Sequence, residues 1–326
     1  MSDALLRVEA LTVRAGTTTI VDSIDFELGP GDAFGLVGES GSGKTTTLRA
    51  LLRLLPPPLE LAGGRIWFGG SDLAGASERA LSAVRGAAIG VVWQDPLAAL
   101  DPVMRVGDQI AEVVRLHSRA GRRAAATRAK ELMRLVELPD VDRTYRRYPH
   151  ELSGGQRQRV VIATAIAADP KLLLADEPTT ALDVTVQDQV LSLLTRLRRE
   201  LGLALLLVTH DLAVVDQVCD RVAVMYAGRI VETGATRAVF EGPRHHYTTG
   251  LLGAVPDIGR PGTLPIGIRG TPLAAAVARG CPFAPRCVSA DDRCVDVTPP
   301  LLGVPDHRAA CHHPVGVRAE ELQRNA

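Results

Sequence analysis

Aromatic residues are scarce in this sequence, because Phe, Trp and Tyr together make up 3% of its 326 residues. So low an aromatic content disfavours a surface on which nucleic-acid bases stack. An excess of charge of one sign is also missing, since 37 basic residues balance 37 acidic ones. A neutral chain has no global field that would attract nucleic acid or an anionic membrane. We therefore expect no nucleic-acid partner.

Long hydrophobic runs are absent as well. A membrane-spanning helix needs roughly 18 or more apolar residues, and the richest stretch, residues 203–215, is interrupted by His210 and Asp211. The first residues, MSDALLR, lack the basic start and the apolar core of a signal peptide. The sequence therefore predicts a cytoplasmic chain that reaches a membrane only through contacts with other proteins.

Cysteine is rare over most of the chain and concentrated near its end. Cys219 stands alone, and the other four are Cys281, Cys287, Cys294 and Cys311. In a reducing compartment such a cluster is more often a set of metal or cluster ligands than a disulfide framework. Five, six and sixteen residues separate the four cysteines, so the C-x-x-C pairs typical of zinc sites do not occur. The spacing predicts a local cofactor site.

Short β-rich runs alternate with longer helical patterns over about the first 240 residues, which predicts a mostly parallel sheet flanked by helices. Strand signals vanish between about residues 102 and 151, where we expect an inserted helical subdomain. Residues 115–147 contain ten Lys or Arg and four Asp or Glu, which indicates either a solvated helical face or a docking surface. Gly, Pro and Cys dominate later, so we divide the chain into residues 1–255 and a C-terminal extension over residues 256–326.

The string GESGSGKT, residues 38–45, satisfies the phosphate-loop pattern. It follows the predicted strand FGLVG and opens a helix that we expect to end at Pro56. Glycines let successive backbone N–H groups face one concavity, and the helix N-terminus adds its positive dipole end. Lys44 would neutralise the β- and γ-phosphates, and the Thr45 hydroxyl would bind Mg²⁺. The predicted ATP contacts are Gly38, Ser40, Gly41, Ser42, Gly43, Lys44, Thr45 and Thr46.

Two carboxylates, Asp176 and Glu177, follow the apolar run at residues 172–174. A buried strand ending in two acids delivers them to the carboxyl edge of a sheet. Asp176 can hold Mg²⁺ through water, and Glu177 is the natural base for an attacking water. His210 follows another apolar run and can contact the γ-phosphate. These residues predict a catalytic centre for ATP hydrolysis.

The stretch LSGGQ, residues 152–156, presents serine and glycine amides at the start of a predicted helix, which is a second anion site. It resembles the signature of ABC ATPases, in which the signature of one subunit completes the ATP site of its partner. The resemblance implies that Ser153, Gly154, Gly155 and Gln156 contact nucleotide in trans. Gln94 resembles the Q-loop glutamine, which senses Mg²⁺. Asp183 belongs to a stretch similar to the D-loop, and His210 resembles the switch histidine.

This resemblance implies an α/β fold of the P-loop NTPase class. The expected parts are a mixed, mainly parallel sheet with an antiparallel β subdomain, an inserted helical subdomain that docks on membrane subunits, and a small irregular C-terminal domain rich in cysteine. One feature departs from the family. The stretch LTVRA, residues 11–15, lacks the aromatic residue that usually stacks on adenine, and Arg14 is the candidate replacement.

Further strings resemble the ATPases of the oligopeptide, dipeptide and nickel importers: WQDP with DPVM, DEPTTALDVTVQ, HHYTTGLLGAVP and GCPFAPRC. The resemblance implies an ATPase that powers peptide import, with nickel or another small solute, or a soluble ABC ATPase, as alternatives. Because the sequence has one phosphate loop and one signature, the functional unit needs a second ATPase subunit. The resemblance implies that this partner is a homologous but different chain, so we expect a heterodimer. The other expected partners are two permeases and an extracytoplasmic solute-binding protein, which place the chain at the cytoplasmic face of the membrane.

The same family resemblance bears on the cysteines. Some peptide-importer ATPases carry a 4Fe-4S cluster, and four widely spaced thiolates in irregular chain suit such a cluster. Cys281, Cys287, Cys294 and Cys311 are its predicted ligands. Zinc bound by the same residues, or reduced structural thiols, are the alternatives.

Overall fold

The computed structural model describes residues 4–180, 182–255, 267–272 and 279–316. It divides into two compact units. The first comprises the described parts of Met1–Leu28, Ala33–Gly75 and Val208–Ala326, and the second comprises Gly29–Asp32 and those of Ala76–Leu207. We expect a domain boundary between residues 255 and 256, and residues 256–266 on its C-terminal side are outside the described residues. Ala181 of the predicted D-loop is also outside them.

The described strands, numbered in chain order, run over the following ranges. They are β1 (Leu6–Ala15), β2 (Thr18–Leu28), β3 (Ala33–Val37), β4 (Leu59–Phe68), β5 (Ser71–Asp72), β6 (Ile89–Val92), β7 (Leu172–Asp176), β8 (Ala204–Thr209), β9 (Arg221–Tyr226), β10 (Arg229–Ala235), β11 (Leu302–Val304) and β12 (His307–Ala309).

The described helices follow the same order. They are α1 (Lys44–Leu51), α2 (Glu78–Val84), α3 (Pro96–Ala99), α4 (Val106–Ser118), α5 (Arg122–Leu135), α6 (Val141–Thr144), α7 (Gly154–Ala165), α8 (Val184–Leu201), α9 (Leu212–Val218), α10 (Thr236–Glu241), α11 (His246–Gly253) and α12 (Asp292–Asp296). Two short 3-10 helices cover Pro149–Glu151 and Ala284–Arg286.

The first unit contains one antiparallel sheet and one mixed group of strands. The antiparallel sheet has the order β2-β1-β4-β5, and the mixed group has the order β11-β12-β10-β9-β3. Strand β3 runs parallel to β9, with Phe34 opposite Arg221. The last two strands are joined to this group because β12 pairs with β10 in antiparallel fashion, His307 lying opposite Gly234. The C-terminal part of the chain is therefore paired to the strands that precede it.

The second unit combines residues 204–207 of β8 with β7 and β6, in the order β8-β7-β6, and with a long helical stretch. Strand β6 is parallel to β7, with Ile89 opposite Leu172. Every residue of β3 and β7 is buried, as expected for strands of a parallel sheet covered on both faces. Residues 93–171 are all described and form helices and turns without a strand.

The arginine-rich stretch uses part of its charge inside the second unit. Arg128 pairs with Asp169 at 2.9 Å, and Lys130 pairs with Asp142 at 2.5 Å. These side chains are partly exposed, so each pair contributes little stability.

Local interactions set the ends of helices α8 and α1. Helix α8 covers Val184–Leu201, because Asp183 caps its start and Gly202 ends it with a φ of 65°. Helix α1 ends at Leu51 and not at Pro56. Arg53 adopts a φ of 53°, and the Leu54 N–H donates to the Arg49 carbonyl at 2.9 Å. This closing turn stops the helix before the prolines.

Among the described residues, no helix combines the length and the apolar character needed to cross a membrane.

Candidate functional site

The phosphate loop lies between the buried strand β3 and the first turn of α1. Gly38, Gly41 and Gly43 have φ values of 153°, 81° and 102°, which L side chains rarely adopt. At Gly38 a Cβ atom would also come within 2.1 Å of the Met225 carbonyl oxygen. The loop therefore needs glycine for its backbone path, and helix α1 begins at Lys44, where its N-terminus adds positive charge.

Lys44 is 5% exposed and is held against the loop. Its Nζ donates to the carbonyl oxygens of Gly38 at 2.8 Å and Glu39 at 2.9 Å. Thr45 and Thr46 are half-buried in the first turn of α1, whereas Ser40 is exposed. The arrangement places an ammonium group and a helix N-terminus at one loop, which is the chemistry that a phosphate chain requires.

Glu39, inside the phosphate loop, contacts residues from the C-terminal half of the chain. Its backbone N–H donates to Tyr247 Oη at 2.8 Å. Its carboxylate receives two hydrogen bonds from the Arg286 guanidinium, at 2.6 Å and 3.1 Å. The sequence patterns gave no signal for either contact. His210, also in the first unit, is exposed just beyond the end of β8.

The predicted catalytic carboxylates lie at the end of β7 in the second unit. Asp176 is 2% exposed, and Glu177 follows with a φ of 44°. Gln94 Nε2 donates to Glu177 Oε2 at 3.1 Å, and Thr180 Oγ1 donates to the same oxygen at 2.8 Å. The structure thus brings Gln94 and Glu177 together. It adds Thr180, which the sequence patterns missed although it lies three residues after Glu177 in the same turn.

The LSGGQ stretch forms the start of α7. Ser153 Oγ accepts a hydrogen bond from the Gln156 N–H at 3.3 Å, and Gln156 Oε1 accepts one from the Ser153 N–H at 3.2 Å. This reciprocal capping box fixes the helix start that the sequence predicted. The D-loop residue Asp183 caps the neighbouring helix α8, its carboxylate accepting from the Val186 N–H at 3.0 Å.

The two signature glycines pack against the start of α8. A Cβ at Gly155 would lie 2.5 Å from Val186 Cγ1, and one at Gly154 would lie 3.4 Å from Leu182 Cδ2. Gly155 therefore has a packing reason for being glycine, besides any contact with nucleotide.

We predict that Gly155→Ala lowers the free energy of unfolding by about 1 to 3 kcal/mol, because the added methyl overpacks the site against Val186. Thermal unfolding of the purified chain measures the loss. The double variant Gly155→Ala with Val186→Ala removes the opposing methyl and should regain most of the stability. A single variant as stable as the wild type would contradict this packing account.

The strand β1 carries Arg14, the candidate partner for adenine. Arg14 is exposed and lies opposite Thr19 of β2 and Glu60 of β4 in the antiparallel sheet. Its side chain is therefore available to solvent, and its assignment to adenine stays a prediction.

The four C-terminal cysteines surround one small cavity. Its lining includes Cys281, Cys287, Cys294 and Cys311 together with His245. Burial, helped by repulsion from the ionised forms of the other three cysteines, raises the pKa of Cys311 to about 12. Burial likewise raises the pKa of each of the other three. The thiols are close enough to oppose one another's ionisation, which a bound metal centre would offset.

His245 supplies a polar group to this cavity. Burial lowers its pKa to about 4, so the ring is neutral at pH 7. Its Nδ1 accepts a hydrogen bond from the Tyr247 N–H at 3.1 Å, which places the ring proton on Nε2. That Nε2 is buried and has no hydrogen-bond partner among the described residues. A buried N–H donor beside four thiols is suited to an acceptor in the cavity.

A second, smaller group of possible ligands shares Cys294. Ligand atoms of Asp291, Cys294 and His313 lie within 4.8 Å of one another. Asp291 also caps α12, and hydrogen bonds from Cys294 and His313 lower its pKa to about 2. The local hydrogen bonds explain this group without a metal ion.

Comparison with known proteins finds two family matches in the chain. The family described as ABC transporter matches residues 21–180, and that described as oligopeptide/dipeptide transporter, C-terminal region, matches residues 231–294. The oligopeptide transport ATP-binding protein OppD of Escherichia coli is 43% identical over 319 residues, covering 96% of this chain and 94% of that protein. OppD of Mycobacterium tuberculosis is 49% identical over 315 residues, which cover 94% of this chain and 51% of that protein. The chain thus spans about half the length of the mycobacterial relatives it matches.

Solved structures show the same fold. The protein cbiO1 of Clostridium perfringens, part of the ABC transporter complex cbiONQ, matches with a TM-score of 0.66 at 27% identity, over 74% of this chain and 92% of that one. A dimeric ATP-binding cassette bound to ADP and Pi matches with a TM-score of 0.64 at 26% identity, over 71% of this chain and 99% of that one.

The fold is that of the ABC ATPases, with a phosphate loop, mixed sheets and helices. The chain belongs to the family of ABC transporter ATP-binding proteins and carries the C-terminal region of the oligopeptide/dipeptide transporters. The family membership predicted from the sequence is confirmed.

Proposed function

We propose that this chain is an ATP-hydrolysing subunit that powers the import of oligopeptides or dipeptides through an ABC transporter. The observation that carries the proposal is the carboxylate of Glu177 at the end of a buried strand, hydrogen-bonded to the Q-loop residue Gln94. The peptide cargo is supported by the names of relatives similar over most of the chain, such as the oligopeptide transport ATP-binding protein of Escherichia coli. Nickel or another small solute is the alternative cargo.

Phosphate binding is assigned to the loop at residues 38–46. Its backbone N–H groups, the N-terminus of α1 and the Lys44 ammonium offset the charge of the β- and γ-phosphates. Thr45, Gln94 and Asp176 offer hydroxyl, amide and carboxylate oxygens, the ligands that Mg²⁺ prefers, and they would hold this ion with the nucleotide. When bound, Mg²⁺ neutralises charge on the phosphates.

Hydrolysis is assigned to Glu177 as the base that orients and deprotonates the attacking water. Gln94 and Thr180 both donate to Glu177 Oε2 and so fix the direction of the carboxylate. His210 would contact the γ-phosphate. Ser153, Gly154, Gly155, Gln156 and Asp183 would act on the nucleotide of the partner subunit, as the family resemblance implies.

The proposed partners are a homologous ATPase subunit, two permeases and a solute-binding protein, which together hold the chain at the cytoplasmic face of the membrane. Two apolar side chains of the second unit are largely exposed. Val184, beside the D-loop residue Asp183, is 84% exposed, and Val103 is 82% exposed. Apolar side chains that are exposed singly are normal on protein surfaces, so the proposed contacts rest on the family resemblance.

A 4Fe-4S cluster is the cofactor that we propose for the cysteine site, with Zn²⁺ as the alternative. Four thiols around one cavity are a suitable donor set, and the buried His245 Nε2–H can donate to a cluster sulfur. A tetrahedral zinc site with bonds of about 2.3 Å would require all four sulfurs to lie within about 4 Å of one another. When bound, the cluster would join Cys281, Cys287, Cys294 and Cys311 in one small C-terminal domain.

Phosphate release from ATP by the purified chain, alone and with a candidate partner subunit, tests the hydrolytic function. Turnover should require Mg²⁺ and stop when EDTA removes it. Co-purification of permeases and a solute-binding protein with bound peptide tests the cargo. Nickel in place of peptide would favour the alternative, and no hydrolysis with any partner would contradict the proposal.

A further inference from the structure

We propose that Arg286 is a positioning residue for the phosphate loop, which neutralises Glu39 and so sets the affinity of the chain for ATP. The inference rests on the proposed function in ATP binding. It concerns two residues that are separated by 247 positions in the sequence and joined in the first unit.

The contact is a bidentate ion pair. Arg286 Nη1 donates to Glu39 Oε2 at 2.6 Å, and Nη2 donates to Oε1 at 3.1 Å. The Arg286 side chain is 4% exposed and that of Glu39 is 24% exposed. Paired hydrogen bonds between a guanidinium and a carboxylate are strong and direction-specific, and burial protects them from screening by salt.

Arg286 is held in this position by further contacts. Its Nε donates to the Arg269 carbonyl oxygen at 2.8 Å. Its guanidinium carbon lies 5.7 Å from the ring centroid of Tyr226 and 5.8 Å from that of Phe283, within the range of cation–π attraction. The guanidinium therefore has few alternative orientations, and it reaches Glu39 already ordered.

Glu39 is fixed through its backbone by the same group of residues. Tyr247 Oη accepts the Glu39 N–H, and Tyr247 is fully buried. The Tyr247 ring lies 4.6 Å from Tyr226 and 5.4 Å from Phe283, centroid to centroid. On its other side, the Glu39 carbonyl oxygen accepts from Lys44 Nζ. The side chain, N–H and carbonyl of Glu39 are thus all engaged.

The charge of Glu39 explains why its pairing with Arg286 matters for the binding of ATP. A carboxylate within a loop that binds a triphosphate repels the ligand at short range unless a cation compensates it. Arg286 supplies that cation from outside the loop. Removal of the Arg286 guanidinium would leave the negative charge of Glu39 beside the phosphates and would also release the side chain of Glu39.

The position of Arg286 in the chain connects two sites. Arg286 precedes Cys287, and Phe283 lies between Cys281 and Cys287. The same short segment therefore lines the cysteine cavity and contacts the phosphate loop. Through this segment, order at the cysteine site would contribute to order at the ATP site.

The test is the equilibrium affinity of the full chain for a fluorescent ATP analogue in the presence of Mg²⁺. Arg286→Gln should weaken binding about tenfold or more, as expected from the loss of a buried charge-assisted pair. Turnover at saturating ATP should change less than the affinity, because Arg286 does not touch the reacting groups. Arg237→Gln is the matched control, since Arg237 is 87% exposed and pairs with Glu241 on the surface of the same unit.

Rescue separates charge compensation from a merely structural role. The double variant Glu39→Gln with Arg286→Gln removes both charges and should bind within about threefold of the wild type. A double variant as weak as Arg286→Gln alone would overturn the proposal, as would unchanged affinity in Arg286→Gln. If circular dichroism shows that Arg286→Gln does not fold, the single variant Glu39→Gln decides the question. We expect Glu39→Gln to bind the analogue as tightly as the wild type or more tightly. Weaker binding by Glu39→Gln would contradict the proposal. A wild-type chain that does not bind the analogue would refute the proposed function itself.

Discussion

Changing Glu177 to Gln should lower ATP turnover by about two to three orders of magnitude, the contribution expected of a general base. Glutamine has nearly the shape of glutamate but cannot accept a proton at neutral pH. Gln94 and Thr180 can still donate to its amide oxygen, so the local structure should be retained. The loss should therefore fall on the chemical step.

The measurement is phosphate release at saturating Mg-ATP, together with the affinity for the nucleotide. Affinity should stay within about threefold of the wild type, because phosphate binding is assigned to the loop at residues 38–46. Glu241→Gln is a suitable control, since Glu241 is exposed and pairs only at the surface with Arg237. Wild-type turnover in Glu177→Gln would show that another group is the base.

The sequence was informative wherever the structure depends on neighbours in the chain. The phosphate loop, the acids after β7 and the capping box at Ser153 are each contained in a few consecutive residues. Their patterns of glycine, apolar residues and helix caps are local, and so the corresponding elements were predicted to within a few residues. Helix α1 is the exception, because its closing turn at Arg53 has no glycine to mark it.

Contacts between distant segments left no such signal. Arg286 and Glu39 are ordinary surface residue types, and their pairing depends on how β12 and the segment before it pack within the first unit. His245 is likewise one of two adjacent histidines in the sequence. Only the structure distinguishes it as a buried ring with an unpartnered Nε2 at the cysteine cavity. A pattern of residue types cannot encode these three-dimensional relationships.

A buried carboxylate helps to fix the C-terminal segment on which both sites depend. Glu232 of β10 is fully buried and accepts hydrogen bonds from the backbone N–H groups of Arg244 and His245, at 2.7 Å and 2.9 Å. The ring Nε2 of His307, in β12, lies 2.7 Å from the same carboxylate. Because a buried carboxylate is costly unless it is well bonded, these contacts tie the position of His245 to the pairing of β10 with β12.

Replacing Cys311 by Ser should abolish the iron and acid-labile sulfide of the anaerobically purified protein. The wild type should contain about four of each, as a cluster held by four thiolates requires. Cys311 follows Cys294 after sixteen intervening residues, so its loss removes the link between its segment and residues 281–294. Since cofactor binding contributes to folding free energy, the variant should also unfold at a lower temperature.

Cys219→Ser provides the matched control, because the chain carries this fifth cysteine outside the cavity. Cys219 is 6% exposed and packs against β3, so its replacement should cost a little stability and leave the iron content unchanged. Stoichiometric zinc without iron or sulfide in the wild type would exclude the cluster and favour the zinc alternative. Iron retained in Cys311→Ser would show that Cys311 is not a ligand, and the exposed His313 at the same cavity would then be the next candidate.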